Sequence, residues 1–295
     1  MTDLFGIPIQ ALFGQLLLGL VNGSFYAMLS LGLAVIFGLL NVINFAHGAL
    51  YMLGAFVAWM GLSYLGLNYW VMLILAPLVV GLFGILIEKL LLKHLYKLDH
   101  LYGLLLTFGL TLLIEGLFRS FYGVSGQPYP TPEALRGATN LGFMILPNYR
   151  GWVVGASVVV CLATWFVIER TRLGALLRAG TENPRLVEAF GVNVPRMITL
   201  TYGFGVALAG FAGVLAAPVL QISPLMGSNL IIVVFAVVVI GGMGSIMGAI
   251  VTGLGLGVIE GLTKVFWPEA SSTVVFIIMA IVLLIRPAGL FGKEK

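Results

Sequence analysis

VMLILAPLVVGLFGILIEKLLL, from Val71 to Leu92, decides in which solvent this chain folds. No charge interrupts the run before Glu88. An α-helix rises about 1.5 Å per residue, so a run of this length covers the roughly 30 Å hydrocarbon core of a bilayer. The rest of the chain repeats the pattern. Hydrophobic residues make up 60% of its 295 residues and charged ones only 9%, with a mean hydropathy of +1.11. Such a composition excludes a soluble globule and defines an integral membrane protein.

Working outward from Val71, further apolar runs occupy 10–38, 43–62, 101–121, 151–169, 197–217, 229–241, 245–263 and 273–286. Backbone groups in lipid must be satisfied internally, and runs of this length do so as helices. The expected fold is an all-α integral membrane protein, a polytopic bundle of about eight to nine transmembrane helices forming one domain over 1–295. Asp3 is the only charge before the first run. That segment lacks the basic start and small-residue cleavage site of a signal peptide, so no cleavage is expected. Cys161, alone in an apolar run, reads as a small buried hydrophobe.

Charge sets the orientation. Lys89, Lys93 and Lys97, then Arg170, Arg172, Arg178, Arg185 and Arg196, then Arg286, Lys293 and Lys295 account for 11 of the 15 basic residues. Those segments are expected on the cytoplasmic side. The breaks at 63–70 and 218–228 carry no charge, and the connection 122–150 holds only Glu133, Arg136 and the boundary Arg150. Nine passes from an outer N-terminus to a cytoplasmic C-terminus satisfy every cluster.

Some passes are irregular. Residues 229–241 supply only about 13 apolar residues before Gly241-Gly242-Met243-Gly244, too few for a full crossing, so a broken helix is expected. Asn22-Gly23-Ser24 interrupts the first run, and a polar stretch from Asn41 to Gly48 separates the next two. Such interruptions at membrane depth survive where protein or a water-filled path shields the backbone, although a plain cytoplasmic turn reads equally well. His47-Gly48-Ala49-Leu50 and Met247-Gly248-Ala249-Ile250 are similar after such breaks and hint at an internal repeat. The 39 glycines let helix backbones approach closely, as in Gly205-x-x-x-Ala209 and Gly244-x-x-x-Gly248.

RAGTENPRLVEAFGVNVPR, from Arg178 to Arg196, differs in kind. Asn183 is placed to cap a helix, Pro184 suits its first position and Gly191 its end. The helix has about two turns, too short to be stable alone in water. Leu186, Val187 and Phe190 form an apolar patch beside Arg185 and Glu188. The patch must lie on the membrane surface, on a cytoplasmic partner or on its own bundle.

At these residues the chain resembles the permeases of branched-chain amino acid ABC transporters. The resemblance rests on Gly174-Ala175-Leu176-Leu177-Arg178-Ala179, Glu182-Asn183-Pro184 and Glu188-Ala189-Phe190-Gly191-Val192. It extends to Asn22-Gly23-Ser24-Phe25-Tyr26-Ala27-Met28, Gly38 to Gly48, and Val239 to Ser245, nearly the whole chain. Its length is similar to that of the shorter of two permease subunits.

The resemblance implies a non-enzymatic transport subunit of the bacterial inner membrane. Its implied partners are a second, related permease, two ATPase subunits that bind ATP and Mg, and a periplasmic amino-acid-binding protein. The loop 170–196 would carry a cytoplasmic coupling helix, with Arg178, Glu182, Asn183, Pro184, Arg185, Leu186, Glu188, Phe190 and Gly191 as the ATPase-coupling residues. One departure stands out. Many importers have Glu-Ala-Ala with a glycine four residues after the last alanine, whereas Gly191 follows Glu188 by only three positions.

Physical reading of the residues agrees. No Gly-x-x-x-x-Gly-Lys-Ser/Thr phosphate loop occurs, so any ATP hydrolysis is expected on other chains. The chain itself is expected to bind no cofactor or metal, and no nucleic acid. Ion-driven carriers commonly hold midplane carboxylates. Here Glu115 and Glu260 are expected near the outer ends of their spans, paired with Arg119 and Lys264 at i, i+4.

A zwitterionic, apolar substrate calls for a weakly polar lining. The interrupted segments offer Asn22, Ser24, Asn41, Asn44 and His47, with Thr107, Gly242, Gly244 and Ser245 further on. Free amides after Gly244 are placed to meet a carboxylate. The rival readings are a urea or short-amide importer and a passive small-amide channel. Gly123-Val124-Ser125-Gly126 matches an intramembrane serine-protease pattern, but it falls in the outer connection, not at the start of a buried helix.

Overall fold

The computed structural model describes residues 3–4, 7–40, 43–96 and 98–292. Asn41, Lys97, Lys293 and Lys295 lie outside the described residues. Apolar runs become helices wherever the chain has no polar alternative for its backbone groups. In chain order these are α1 (Ile9–Leu40), α2 (His47–Leu65), α3 (Tyr69–Leu90), α4 (His100–Tyr122), α5 (Asn148–Arg170), α6 (Arg172–Glu182), α7 (Pro184–Ala189), α8 (Val194–Ala216), α9 (Ser228–Gly241), α10 (Ile246–Phe266) and α11 (Val274–Ile285). Seven of the described helices, α1 to α5, α8 and α10, are long and apolar enough to cross a membrane; α9 and α11 are shorter. Three single-turn 3-10 helices (Leu92–His94, Glu133–Leu135 and Pro268–Ala270) and two small antiparallel hairpins complete the secondary structure of the described residues, one hairpin pairing Asp3–Leu4 with Ile7–Pro8 and one pairing Ala138–Asn140 with Ile145–Pro147.

The expected interruption at Asn22-Gly23-Ser24 does not occur. Helix α1 runs unbroken for 32 residues, about 48 Å at the helical rise and longer than the hydrocarbon core is thick. Ser24 stays helical by donating to its own Leu20 carbonyl at 2.9 Å. Gly23 serves contact instead of flexibility. It sits against the backbone of Leu254 and Gly253 in α10, and Gly19 sits one turn earlier against Gly257. A methyl group on Gly257 would run into Gly23. The α1–α10 seam is thus backbone against backbone, the arrangement small residues permit in lipid.

Helices α1, α2 and α8 form the centre. Tyr51, Phe56, Met28 and Tyr202 are fully buried there, and Gly205 of α8 lies against the Gly32 carbonyl of α1. The outer helices turn their large side chains outward: Ile74 and Leu82 on α3, Leu105 and Leu112 on α4, Phe166 on α5, Leu284 on α11. In water such a surface would aggregate, whereas in a bilayer it is the lipid contact.

The connections fall into two groups. Gln127, in the connection 122–150, exchanges backbone hydrogen bonds of 2.8 and 3.1 Å with Ile222, in the connection 218–228. A pocket of about 440 Å³ brings Tyr69 and Trp70 together with Tyr129 and Pro132 of the same connection. The three charge-poor connections therefore share one face. Lys89 and Lys93 lie beside Arg196 at the opposite ends of those helices.

Candidate functional site

The segment between α5 and α8 folds as two helices where the sequence showed one. Gly174 lets α6 start hard against the Ile168 carbonyl, where any side chain would collide. Arg178 fixes the corner, donating from Nη1 to the Ile168 carbonyl at 2.9 Å and approaching Glu169 Oε2 at 3.5 Å. Leu177 and Gly180 face inward, while Leu173 and Leu176 are exposed. Glu182 ends the helix in solvent.

Helix α7 begins as its residues dictate. The Asn183 side chain accepts from the Leu186 amide at 3.2 Å, with Pro184 at the first position. Its end follows at Ala189, and Gly191 adopts φ +81°, a left-handed conformation favourable to glycine. The apolar patch divides. Val187 is buried on the bundle, whereas Leu186 is 56% and Phe190 80% exposed. Arg185 and Glu188 are exposed beside them. Asn193 then caps α8 by accepting from the Arg196 amide at 2.9 Å.

The proposed path residues separate into groups. Asn44 is buried, its Nδ2 donating to the Tyr202 hydroxyl at 3.1 Å while Oδ1 has no partner. Thr107 is buried against the residues on either side of Asn44: the Phe45 amide donates to Thr107 Oγ1 at 3.1 Å, and Thr107 Oγ1 is 3.3 Å from the Ile43 carbonyl, which accepts from it. His47 opens α2 with Nε2 3.0 Å from the Leu29 carbonyl and Nδ1 unpartnered. Asn22 is half-buried on α1, and Ser24 is spent on its own helix.

The glycine break is real and differs in use from the sequence reading. Gly242 and Gly244 take φ of +99° and +85°. Gly242 lies under the C-terminal segment, where Leu290 and Phe291 donate to the Ile240 and Gly241 carbonyls at 2.8 and 3.1 Å. Ser245 caps α10, accepting from the Gly248 amide at 3.0 Å. The amides expected to be free are therefore partly committed. Gly244 touches Gly38 of α1.

Between the two breaks lies a cavity of about 220 Å³. Leu33, Ile43, Phe45, Leu104, Val238 and Met243 line it, and no polar side chain does. Phe45 lies 4.7 Å from Phe235, the rings tilted by 35°, and edge-on to Phe108. This site was missed from sequence because its residues come from four separate segments and are individually ordinary.

Carboxylates also depart from expectation. Glu260 pairs with Lys264 at 2.6 Å as the spacing requires. Glu115 does not pair with Arg119; it is buried and accepts from the Ser228 hydroxyl of α9. Glu88, only 1% exposed, accepts from Tyr96 at 2.9 Å and from Thr199 at 2.7 Å. Burial, then the Glu88 charge, raises the Tyr96 phenol above its ordinary pKa. Sequence placed Glu88 beside Lys89, and nothing there showed that it would turn inward.

A polytopic helical bundle with breaks after α1 and after α9, and a capped helical segment outside it, is an architecture a membrane permease can use. The comparisons with known proteins give the family. The chain belongs to the branched-chain amino acid transport system permease components, whose family model matches residues 15–284. It is 30% identical to the high-affinity branched-chain amino acid transport system permease protein BraD of Pseudomonas aeruginosa, over 95% of this chain and 96% of that one. It is 28% identical to LivH of Escherichia coli with the same coverage. LivM of that organism is 30% identical over 92% of this chain but 68% of its own length. No solved structure matches the chain.

Proposed function

We propose that this chain is the membrane permease subunit of an ABC importer that moves branched-chain amino acids across the bacterial inner membrane. It works beside a second, related permease and receives substrate from a periplasmic binding protein. Two separate ATPase subunits hold ATP and Mg and drive it. The relatives named above are all branched-chain amino acid permeases, which favours this reading over an amide importer or a passive channel. The similarity of this chain to both LivH and LivM of one organism supports a pair of related permeases.

The observation that carries the coupling role is the split of α7. Val187 anchors the helix on the bundle while Leu186 and Phe190 point away from it, an exposed apolar pair on a rigidly capped support. Exposed aromatic and aliphatic anchors of this kind seat in a groove of a partner. Arg178, through the Ile168 carbonyl, ties the segment to the end of α5, so force applied at α7 reaches the spanning helices directly. The basic residues that converge on this face support its placement in the cytoplasm.

For the substrate, the apolar cavity around Phe45, between the two backbone breaks, suits a branched aliphatic side chain. Weak, mainly apolar contact allows release. The decisive experiment replaces Glu188→Lys together with Phe190→Ala in the full transporter. The variant is expected to insert and to lose uptake of labelled leucine while the ATPases still hydrolyse ATP. Normal uptake would refute the coupling assignment.

A further inference from the structure

A further cleft borders the coupling segment at Pro184 and Glu188 and extends well beyond it. It holds about 860 Å³ and lies where α3 ends and α8 begins, with α7 along one side. That is a volume in the range of small-molecule sites. Lys89 and Lys93 enter it from the end of α3 and the turn beyond, and Arg196 from the first turn of α8. None of the three has a carboxylate within ion-pair distance among the described residues.

Below these cations the walls become apolar. Ile85 lies one turn before Lys89, about 6 Å deeper along the helix, and Ile198 and Leu200 follow Arg196 on the facing wall. Leu200 is 55% exposed. A charged mouth at the end of two spanning helices, over an apolar trough running into the hydrocarbon, matches one kind of molecule. We propose that this cleft binds an anionic glycerophospholipid, its phosphate held by Lys89, Lys93 and Arg196 and its acyl chains laid along Ile85, Ile198 and Leu200.

Two carboxylates also line the cleft, and they refine the choice. Glu88 is turned into the protein, with one oxygen taken by Tyr96 and the other by Thr199. Glu188 is exposed on α7. Three cations against two carboxylates leave an excess of one positive charge, which a phosphodiester with an uncharged headgroup balances and a zwitterionic lipid does not. Basic pockets between spanning helices are a general means of holding anionic lipids.

Of the coupling residues only Pro184 and Glu188 reach this space. Pro184 and Glu188 lie one turn apart on the face of α7 that borders the cleft, while Leu186, two positions from each, lies on the opposite side at about 100° per residue. A lipid here would wedge between α7 and the α3–α8 junction and stiffen the support of the coupling helix. The inference rests on the permease reading only in placing α3 and α8 in a bilayer, and its test reads lipid and not transport.

The full chain, purified and exchanged into equimolar phosphatidylglycerol and phosphatidylethanolamine, is analysed by native mass spectrometry. Phosphatidylglycerol should be retained in preference by about fivefold or more, the order expected from one cation near a phosphate. Lys89→Ala with Lys93→Ala and Arg196→Ala should abolish the preference; the charge-keeping set Lys89→Arg, Lys93→Arg and Arg196→Lys should restore it. Alanine at the exposed Arg170 and Arg172 of the same face should leave it intact. Equal retention of both lipids, an unchanged preference in the triple alanine variant, or equal loss in the Arg170/Arg172 variant would overturn the site. All substituted residues are exposed, and helical content by circular dichroism confirms that each variant is folded.

Discussion

Glu88 shows how much one side chain decides. Its carboxylate joins three pieces of chain, α3, the turn bearing Tyr96, and α8 through Thr199. Removing one partner of a buried hydrogen bond leaves the others unsatisfied, at about 1–3 kcal/mol. Glu88→Ala is expected to lower the thermal unfolding midpoint in detergent, and Glu88→Gln, which keeps an acceptor, to lower it less. Equal losses would show that charge, and not acceptance of the two hydroxyls, matters there. Thr107 invites a parallel test. Its hydroxyl accepts from the Phe45 amide at 3.1 Å beside the apolar cavity. Thr107→Val should reduce leucine uptake and Thr107→Ser should retain it. A valine variant with normal uptake would detach this hydrogen bond from transport.

Among elements, α1 and α7 teach opposite lessons about polar residues. Asn22-Gly23-Ser24 reads as a break because all three residues weaken helices in water. In the structure the serine satisfies itself on Leu20, and the glycine is needed by α10. At 183–191 the same residue classes do what their water chemistry dictates: asparagine caps, proline starts and glycine ends the helix. The difference is exposure, since α7 competes with water while α1 competes only with lipid and neighbouring backbone. The α1–α10 seam gives a direct prediction. Gly257→Val should sharply reduce the amount of folded protein recovered from membranes. Gly255→Val, two residues away with open space around it, should not. Equal recovery of both variants would mean that the seam tolerates separation.

At the scale of the whole molecule, a core of α1, α2 and α8 is enclosed by helices whose large residues face lipid. Both irregular passes, the break after α1 and the break after α9, converge on the cavity at Phe45. The segments starting at His47 and Met247 both fall in the first turn of a helix directly after a break. Affinity purification of this chain from its native membrane should bring down a second permease and ATP-hydrolysing subunits. Recovery of the chain alone, from mild detergent that preserves such complexes, would contradict the importer assembly.

Hydropathy by itself determined that this is a multi-pass helical membrane protein, and it located nearly every helix, because lipid leaves an apolar run no other way to satisfy its backbone. The capped helix at 184–189 was equally legible, since its signals act within a few residues of one another. Contacts between distant segments were not legible. Glu88 and Glu115 turned inward, Val187 parted from Leu186 and Phe190, and four segments closed around one apolar cavity. Each of these outcomes depends on which face of a helix meets a neighbour, and only tertiary packing chooses that face.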